Sequence, residues 1–130
     1  SPLDEIRPEK WTGQFTTEST FPSGDHRNFN RDGAAFDRGE TFSGVPFEVG
    51  LKAVDVLEEI CPEHMTMVQF ALRWILMFDA VTCAIPGAKR PAQAEENIAA
   101  ADMPPLSDEV MARVREIYDT TIREHVHHHW

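Results

Sequence analysis

The chain has 130 residues, of which 42% are hydrophobic, and its 22 acidic residues against 12 basic ones give a net charge of −10. That length is enough for one compact core, so we expect a single domain. The negative charge excludes nucleic acid and anionic membrane surfaces as general partners, and any anionic ligand therefore needs a local basic site.

The cysteine content and hydropathy predict a cytoplasmic protein. Cys61 and Cys83 are the only cysteines, too few for a disulfide framework or a thiolate metal site. The first residues, Ser1 to Glu5, contain no apolar signal core. The richest apolar stretch, Phe70 to Phe78, is short and contains Arg73, so no transmembrane span is expected.

Residues 1–46 are predicted to be a long ordered loop region. They include five of the seven glycines and show no sustained hydrophobic period, as is typical of irregular structure. They also contain Phe15, Phe21, Phe29, Phe36 and Phe42. A disordered tail rarely has so many aromatic residues, so we expect this loop to lie against a core.

Two helices are predicted before residue 80. Apolar residues recur on one face from Phe47 to Cys61, and Pro62 ends that segment. Thr66, followed three residues later by Gln69, has the spacing of a capping box. The second helix has two apolar stripes, Val68, Ala71, Leu72, Ile75 and Phe78 on one side and Phe70, Trp74 and Met77 on the other. It is expected to be buried between layers and to end near Asp79.

The run from Ala80 to Ile85 is the best strand candidate in the chain. It is apolar, it contains β-branched residues, and Pro86 and Gly87 end it. Because its hydropathy does not alternate, we expect the strand to be buried on both faces, with parallel neighbours. A buried strand flanked by helices indicates an α/β fold.

Two more helices are predicted after this strand. Pro91 suits the first turn of one helix, which runs to about Ala101, with Arg90 near its N-cap. Ser107 is expected to cap the last helix. The inner face of that helix is predicted to contain Val110, Val114, Ile117, Tyr118 and Thr121.

The only adjacent Lys/Arg pair in this acidic chain is Lys89-Arg90. It lies between the predicted strand and a helix N-terminus, where α/β folds bind ligands and helix dipoles attract anions. Gly87 and Ala88 are small enough to let a phosphate approach the backbone closely. The alternative on spacing alone is a solvated loop with two chance basic residues.

Three polar residues follow one helical turn later. Gln93, Glu96 and Asn97 offer hydrogen-bonding groups to a purine or a ribose. Arg90, which presents paired donors to phosphate, would favour a dinucleotide that carries a 2′-phosphate.

Three runs of the sequence resemble the aldo-keto reductase family: residues 71–76 (Ala-Leu-Arg-Trp-Ile-Leu), 81–88 (Val-Thr-Cys-Ala-Ile-Pro-Gly-Ala) and 93–97 (Gln-Ala-Glu-Glu-Asn). They look like the seventh helix, eighth strand and following helix of that barrel, and the resemblance extends from about Gly44 to Val126. It implies that residues 47–130 are the C-terminal half of a partial (β/α)8 TIM barrel, mostly helical with one or two parallel strands.

The resemblance also implies a cofactor, NADP(H). Its adenosine phosphate would lie at Gly87, Ala88, Lys89 and Arg90, and its adenine near Gln93, Glu96 and Asn97. Some members have Lys and Arg where this chain has Gly87 and Gln93, so Lys89 or Arg90 would supply the charge here. The family's pyrophosphate-binding segment is matched at 2–3 and 12–15 but not at 4–11, and no pyrophosphate role is carried over.

The family's catalytic residues are not matched. Its members reduce carbonyls with a Tyr proton donor assisted by Lys, Asp and His, all in the first half of the barrel. The only tyrosine here, Tyr118, is instead expected to pack in the core with its hydroxyl satisfied. We therefore expect an NADP(H)-dependent oxidoreductase portion that is active only with a partner or the missing half. The alternative is a non-catalytic nucleotide- or protein-binding module of the same fold.

The remaining features are an apolar sheet face, a cysteine in the predicted strand, the His-rich end and a polar pair in the loop region. An open apolar sheet face would need a cover, which predicts a homo-oligomer or a partner chain. Cys83 is predicted to be an inert core residue. The His-rich end, His125 and residues 127–129, is predicted to be a solvated tail and not a metal site. Asp25 and His26 belong either to a lid over a cofactor or to loop salt bridges.

Overall fold

In a computed structural model of the chain, the structure describes residues 44–129 together with Thr20 and Ser23. Four main helices run through this part: α1 (Phe47–Ile60), α2 (Met67–Ile75), α3 (Pro91–Asp102) and α4 (Asp108–Ile117). The chain continues from α4 through a π-helical turn (Tyr118–Ile122), a short α5 (Arg123–Val126) and a 3-10 turn (His127–His129). Nearly all of the predicted loop region 1–46 lies outside the described residues.

Helix α1 confirms the prediction from the 47–61 pattern. Its buried residues are Phe47, Gly50, Ala53 and Val54, which recur at helical spacing on one face. Gly44, in the turn that leads into the helix, has φ 82°, a left-handed conformation that glycine adopts without a side-chain clash. The Cys61 N–H bonds to the Glu58 carbonyl at 3.3 Å, and Pro62 follows.

Helix α2 begins with the predicted capping box. The Gln69 N–H donates to Thr66 Oγ1 at 3.2 Å, and the Thr66 N–H donates to Gln69 Oε1 at 3.1 Å. The helix ends at Ile75, four residues before the predicted end, and turns continue to residue 80. The Trp74 and Phe78 rings pack edge to face across this turn, with centroids 4.9 Å apart.

The described helices form two packed pairs. α2 packs on α3, and α1 packs on α4 and the π-helical turn. Met65, Phe70 and Leu106 form a buried cluster, which shields the start of α2 and the segment before α4 from solvent. Arg73 at the end of α2 donates to the Pro104 and Ala101 carbonyls at 3.2 and 3.4 Å, which satisfies carbonyls at the end of α3.

The prediction of a buried strand over residues 80–85 is wrong. Residues 81–88 have no regular secondary structure, and Ile85 is 94% exposed. Cys83, predicted to be a core residue, is exposed as well. A strand needs the backbone groups of a neighbouring strand, and none occurs in residues 44–129. The one or two predicted parallel strands are therefore not seen in this part of the chain, which is helical.

The final helix confirms its predicted cap, because the Val110 N–H donates to Ser107 Oγ at 3.2 Å. The His-rich end is helical as far as His129, and His127 and His128 are exposed to solvent, as predicted. The π-helical turn arises where Thr120 Oγ1 donates to the Glu116 carbonyl at 2.8 Å, which competes with the ordinary helical bond. Within residues 44–129, no helix is long and apolar enough to cross a membrane.

Candidate functional site

The predicted phosphate loop leads directly into α3. Gly87, Ala88, Lys89 and Arg90 are exposed, and Arg90 is the N-cap residue, with an extended backbone at φ −135° and ψ 148°. Pro91 occupies the first turn, as its ring geometry and missing N–H favour. The structure thus places both cations at the positive end of a 12-residue helix.

Gln93 determines the shape of this loop. Its side-chain Oε1 accepts from the backbone N–H groups of Lys89 at 2.9 Å and of Arg90 at 3.1 Å. These two N–H groups are therefore engaged within the protein. A phosphate at this loop would meet the side chains of Lys89 and Arg90 and the helix dipole.

Asn97 holds the other side of the loop. Its Nδ2 donates to the Gly87 carbonyl at 3.3 Å, across a sequence separation of ten residues. A Cβ added to Gly87 would meet nothing within 4 Å, and Gly87 does not have a positive φ. Neither packing nor backbone conformation in the described structure requires a glycine at this position, which leaves open space where a ligand could approach.

Glu96 is connected to α2 through its backbone. Gln69, a buried polar residue only 9% exposed, donates from Nε2 to the Glu96 carbonyl at 3.2 Å. The same side chain completes the capping box of α2, so it fixes α3 relative to α2. The capping spacing in the sequence indicates Gln69, but its bond to Glu96 depends on helix packing and has no sequence signal.

The structure brings the seven predicted site residues together. Four form the loop, and Gln93, Glu96 and Asn97 lie half-buried on the first two turns of α3. The side chains of Gln93 and Asn97 were predicted to face a ligand. In the structure they also form hydrogen bonds to the backbone of the loop. The arrangement offers an anion two exposed cations on a loop held by two amide side chains.

Tyr118 lies in the π-helical turn, half-buried, with its hydroxyl 3.0 Å from His127 Nδ1. The hydroxyl oxygen has a hydrogen-bond partner, as expected, but the ring is half-buried and not in the core as predicted. The two rings are in edge contact with centroids 6.2 Å apart. Arg123 NH2 approaches the other ring nitrogen of His127 at 3.2 Å. In the part of the chain that is described, no cluster of three or more His, Cys, Asp or Glu is arranged to hold a metal ion.

Residues 10–119 match the sequence model of the Aldo/keto reductase family. Because this match spans well over half of the chain, the protein belongs to that family. The match includes the candidate loop, the whole of α3 and the start of the π-helical turn. A comparison with curated proteins found no significant match.

Proposed function

We propose that this chain is the part of an aldo/keto reductase-type, NADP(H)-dependent oxidoreductase that binds the adenosine phosphate of the cofactor. The observation that carries the proposal is the position of Lys89 and Arg90, exposed and adjacent at the N-terminus of α3. Family membership supports a nicotinamide dinucleotide as the ligand, because the family generally uses NAD(P)H.

The donor set of the loop suits a phosphate monoester. Arg90 carries a planar guanidinium that can form two parallel bonds to phosphate, and Lys89 adds a second positive charge. Because Gln93 engages the backbone N–H groups of both residues, the side chains would supply most of the affinity. A charge-assisted hydrogen bond contributes about 1.5–3 kcal/mol, which corresponds to roughly 10- to 100-fold in affinity.

The adenine would lie along α3, near Gln93, Glu96 and Asn97. Gln93 and Asn97 would act mainly by holding the loop, through their bonds to the backbone of residues 87, 89 and 90. The Glu96 side chain, half-buried on the same part of the helix, would face the base or the ribose. The hydrogen bond from Gln69 Nε2 to the Glu96 carbonyl holds this residue in place.

Carbonyl reduction would require residues from a partner or from another part of the barrel. Tyr118 is the only tyrosine, and the structure engages its hydroxyl with His127, away from the loop at α3. We assign no catalytic residue in this chain. The protein would then work with a partner chain that supplies the Tyr, Lys, Asp and His set, because a homo-oligomer adds no tyrosine other than Tyr118.

The test is calorimetric titration of the chain with NADP⁺ and with NAD⁺. NADP⁺ should bind more tightly, by roughly 10-fold or more, because only NADP⁺ carries the 2′-phosphate. Arg90→Ala should remove the difference by weakening NADP⁺ alone. Arg113→Ala is the matched control, because Arg113 is a surface arginine of α4 that pairs with Glu116. Equal affinities of the unmutated chain for the two cofactors would reject the 2′-phosphate assignment.

The second candidate is a non-catalytic module that binds another protein. The observation that favours it is the irregular segment 81–88, in which Ile85 projects into solvent with 94% of its surface accessible. Burial of this side chain in a protein contact would remove its apolar surface from water. If neither cofactor binds and sedimentation shows an oligomer that Ile85→Ser dissociates, this second function is supported.

A further inference from the structure

A second candidate site lies between α1, the end of α2 and α4. It is a cavity of about 860 Å³ lined mainly by apolar side chains, among them Val54, Leu57, Trp74, Phe78 and Met111. That volume falls within the roughly 300–1,000 Å³ of small-molecule sites in proteins. None of the seven loop and α3 residues of the proposed nucleotide site lines it.

Among the described residues, one arginine side chain at this cavity has no partner. Arg115 lines the cavity and is exposed, and its side chain makes no ion pair or hydrogen bond with the described residues. The neighbouring arginines of the same helical segment are both engaged, Arg113 with Glu116 and Arg123 with Asp119 at 2.8 Å. Of the three arginines in residues 108–123, Arg115 is therefore the one whose side chain has no partner in the described part of the chain, and it lies at the cavity.

Tyr118 adds a hydrogen-bond donor one helical turn from Arg115. Arg123 NH2 lies 3.2 Å from His127 Nε2, and because a guanidinium can only donate, that nitrogen must accept. The hydrogen of the neutral imidazole is then on Nδ1, which donates to the Tyr118 oxygen at 3.0 Å. The hydroxyl hydrogen of Tyr118 is left for another acceptor, and Tyr118 itself lines the cavity.

We propose that this cavity binds an amphiphilic carboxylate, of which a medium-chain fatty acid is the simplest example. The alkyl chain would lie among the apolar side chains, where burial removes it from water. The carboxylate would accept from the Arg115 guanidinium and from the Tyr118 hydroxyl, which match its two oxygens. Asp108, the acidic lining residue, is seven positions from Arg115, roughly 10 Å along the helix, too far to neutralise it directly.

The positive charge of Arg115 should discriminate among ligands that share an alkyl chain and differ in the head group. A long-chain ammonium would be repelled by Arg115, and an alcohol would lose the ion pair while keeping the apolar contacts. A strongly polar ligand such as a sugar would leave its hydroxyl groups without partners against the apolar lining. The order of affinity should therefore be carboxylate, then alcohol, then ammonium.

The test is calorimetric titration of the full chain with dodecanoate, dodecanol and dodecyltrimethylammonium, each below its micellar or solubility limit. Dodecanoate should bind about 10-fold or more tightly than dodecanol. Arg115→Ala should bring dodecanoate to the affinity of dodecanol, and Tyr118→Phe should weaken dodecanoate several-fold. Arg113→Ala, two residues away and outside the cavity lining, should leave the affinity unchanged.

Several results would overturn the proposal. They are equal affinity for the three amphiphiles, no binding of dodecanoate, an Arg115→Ala effect that Arg113→Ala reproduces, or a dimer in sedimentation that excludes dodecanoate from the cavity. Circular dichroism of each variant checks folding, and Arg115→Gln replaces Arg115→Ala if the alanine variant unfolds. Dodecanoate should not displace NADP⁺, so failure of this site and failure of the nucleotide site are separate results.

Discussion

At the scale of single residues, Gly87 is a position where the fold does not require a glycine but the proposed phosphate site does. Its α-carbon faces open space, its φ is not positive, and its contact with Asn97 uses the backbone carbonyl. A methyl group should therefore be tolerated by the folded chain. It would lie in the space that the proposed phosphate uses.

We predict that Gly87→Ala leaves the free energy of unfolding unchanged or raises it by about 0.4–1 kcal/mol, because alanine restricts the unfolded chain. The same substitution should weaken NADP⁺ binding. Thermal unfolding and calorimetry measure the two effects on one sample. A loss of stability without a change in NADP⁺ affinity would show that the glycine is structural.

The two thiols differ in their surroundings. Cys83 is exposed, whereas Cys61 is half-buried with its sulfur 3.5 Å from the Met65 carbonyl oxygen. Burial, and to a smaller extent the negative charge of Glu58, raises the pKa of the Cys61 thiol. Because the thiolate is the reactive form, Cys61 should react more slowly than Cys83.

We predict that iodoacetamide at pH 8 modifies Cys83 first, as measured by mass spectrometry, and that Cys83→Ser leaves only a slow reaction. The raised pKa of Cys61 also makes stability depend on pH. As pH rises through about 8.5, the unfolded thiol loses its proton before the folded one, so the contribution present at lower pH is lost. Cys61→Ser should flatten the alkaline side of the pH–stability curve. An unchanged curve would contradict this assignment.

At the scale of secondary-structure elements, Gln69 connects two helices. Its Oε1 caps α2 through the Thr66 N–H, and its Nε2 bonds to the Glu96 carbonyl in α3 at 3.2 Å. The start of α2 and the middle of α3 are thus held by the two ends of one amide. Because α3 begins at the proposed phosphate loop, this bond also bears on the position of that loop.

Two substitutions at Gln69 distinguish its two bonds. Gln69→Ala should lower the free energy of unfolding by about 1–3 kcal/mol, because it removes both the cap of α2 and the bond to the Glu96 carbonyl. Gln69→Glu keeps the acceptor for Thr66 but places a carboxylate against the Glu96 carbonyl. If both substitutions are destabilising in urea titrations while Thr66→Ala costs only about 1 kcal/mol, the link to α3 is the larger contribution. Equal effects of Gln69→Ala and Thr66→Ala, with no loss in Gln69→Glu, would assign the stability to the cap alone.

Local sequence patterns predicted the starts of the helices correctly but not the end of α2 or the strand. The starts of α2 and α4 were predicted from Thr66 and Ser107, because a cap depends on residues only three positions apart. The end of α2 was placed four residues too late, since its apolar stripe continues through the turn that Trp74 and Phe78 close. The strand at 80–85 failed for a different reason, because its hydropathy suits a sheet whose other strands do not occur in residues 44–129.

At the scale of the whole molecule, family membership and the described structure bear on different properties. The match over residues 10–119 establishes the aldo/keto reductase family. The described residues form a helical unit with an exposed basic loop at one helix end and a separate apolar cavity elsewhere. Under the proposed function, this chain would therefore bind the cofactor without reducing a carbonyl by itself.

We predict that the isolated chain does not oxidise NADPH in the presence of a reactive aldehyde, measured by absorbance at saturating cofactor. One positioned acid or base typically contributes ~10²–10⁴ in rate, and no such set is assigned here. Turnover above the uncatalysed rate would contradict the proposed dependence on a partner. Tyr118→Phe would then show whether the only tyrosine is the proton donor.

The sequence by itself determined the helix starts, the basic pair before α3 and the family, because each depends on residues close together or on a continuous pattern. Only the tertiary structure decided that residues 81–88 form no strand, that Ile85 is exposed and that Gln69 joins α2 to α3. It also placed Arg115 and Tyr118 at one cavity. These features depend on which surfaces meet in the folded chain, and a strand or a buried amide acquires its partner only from that packing.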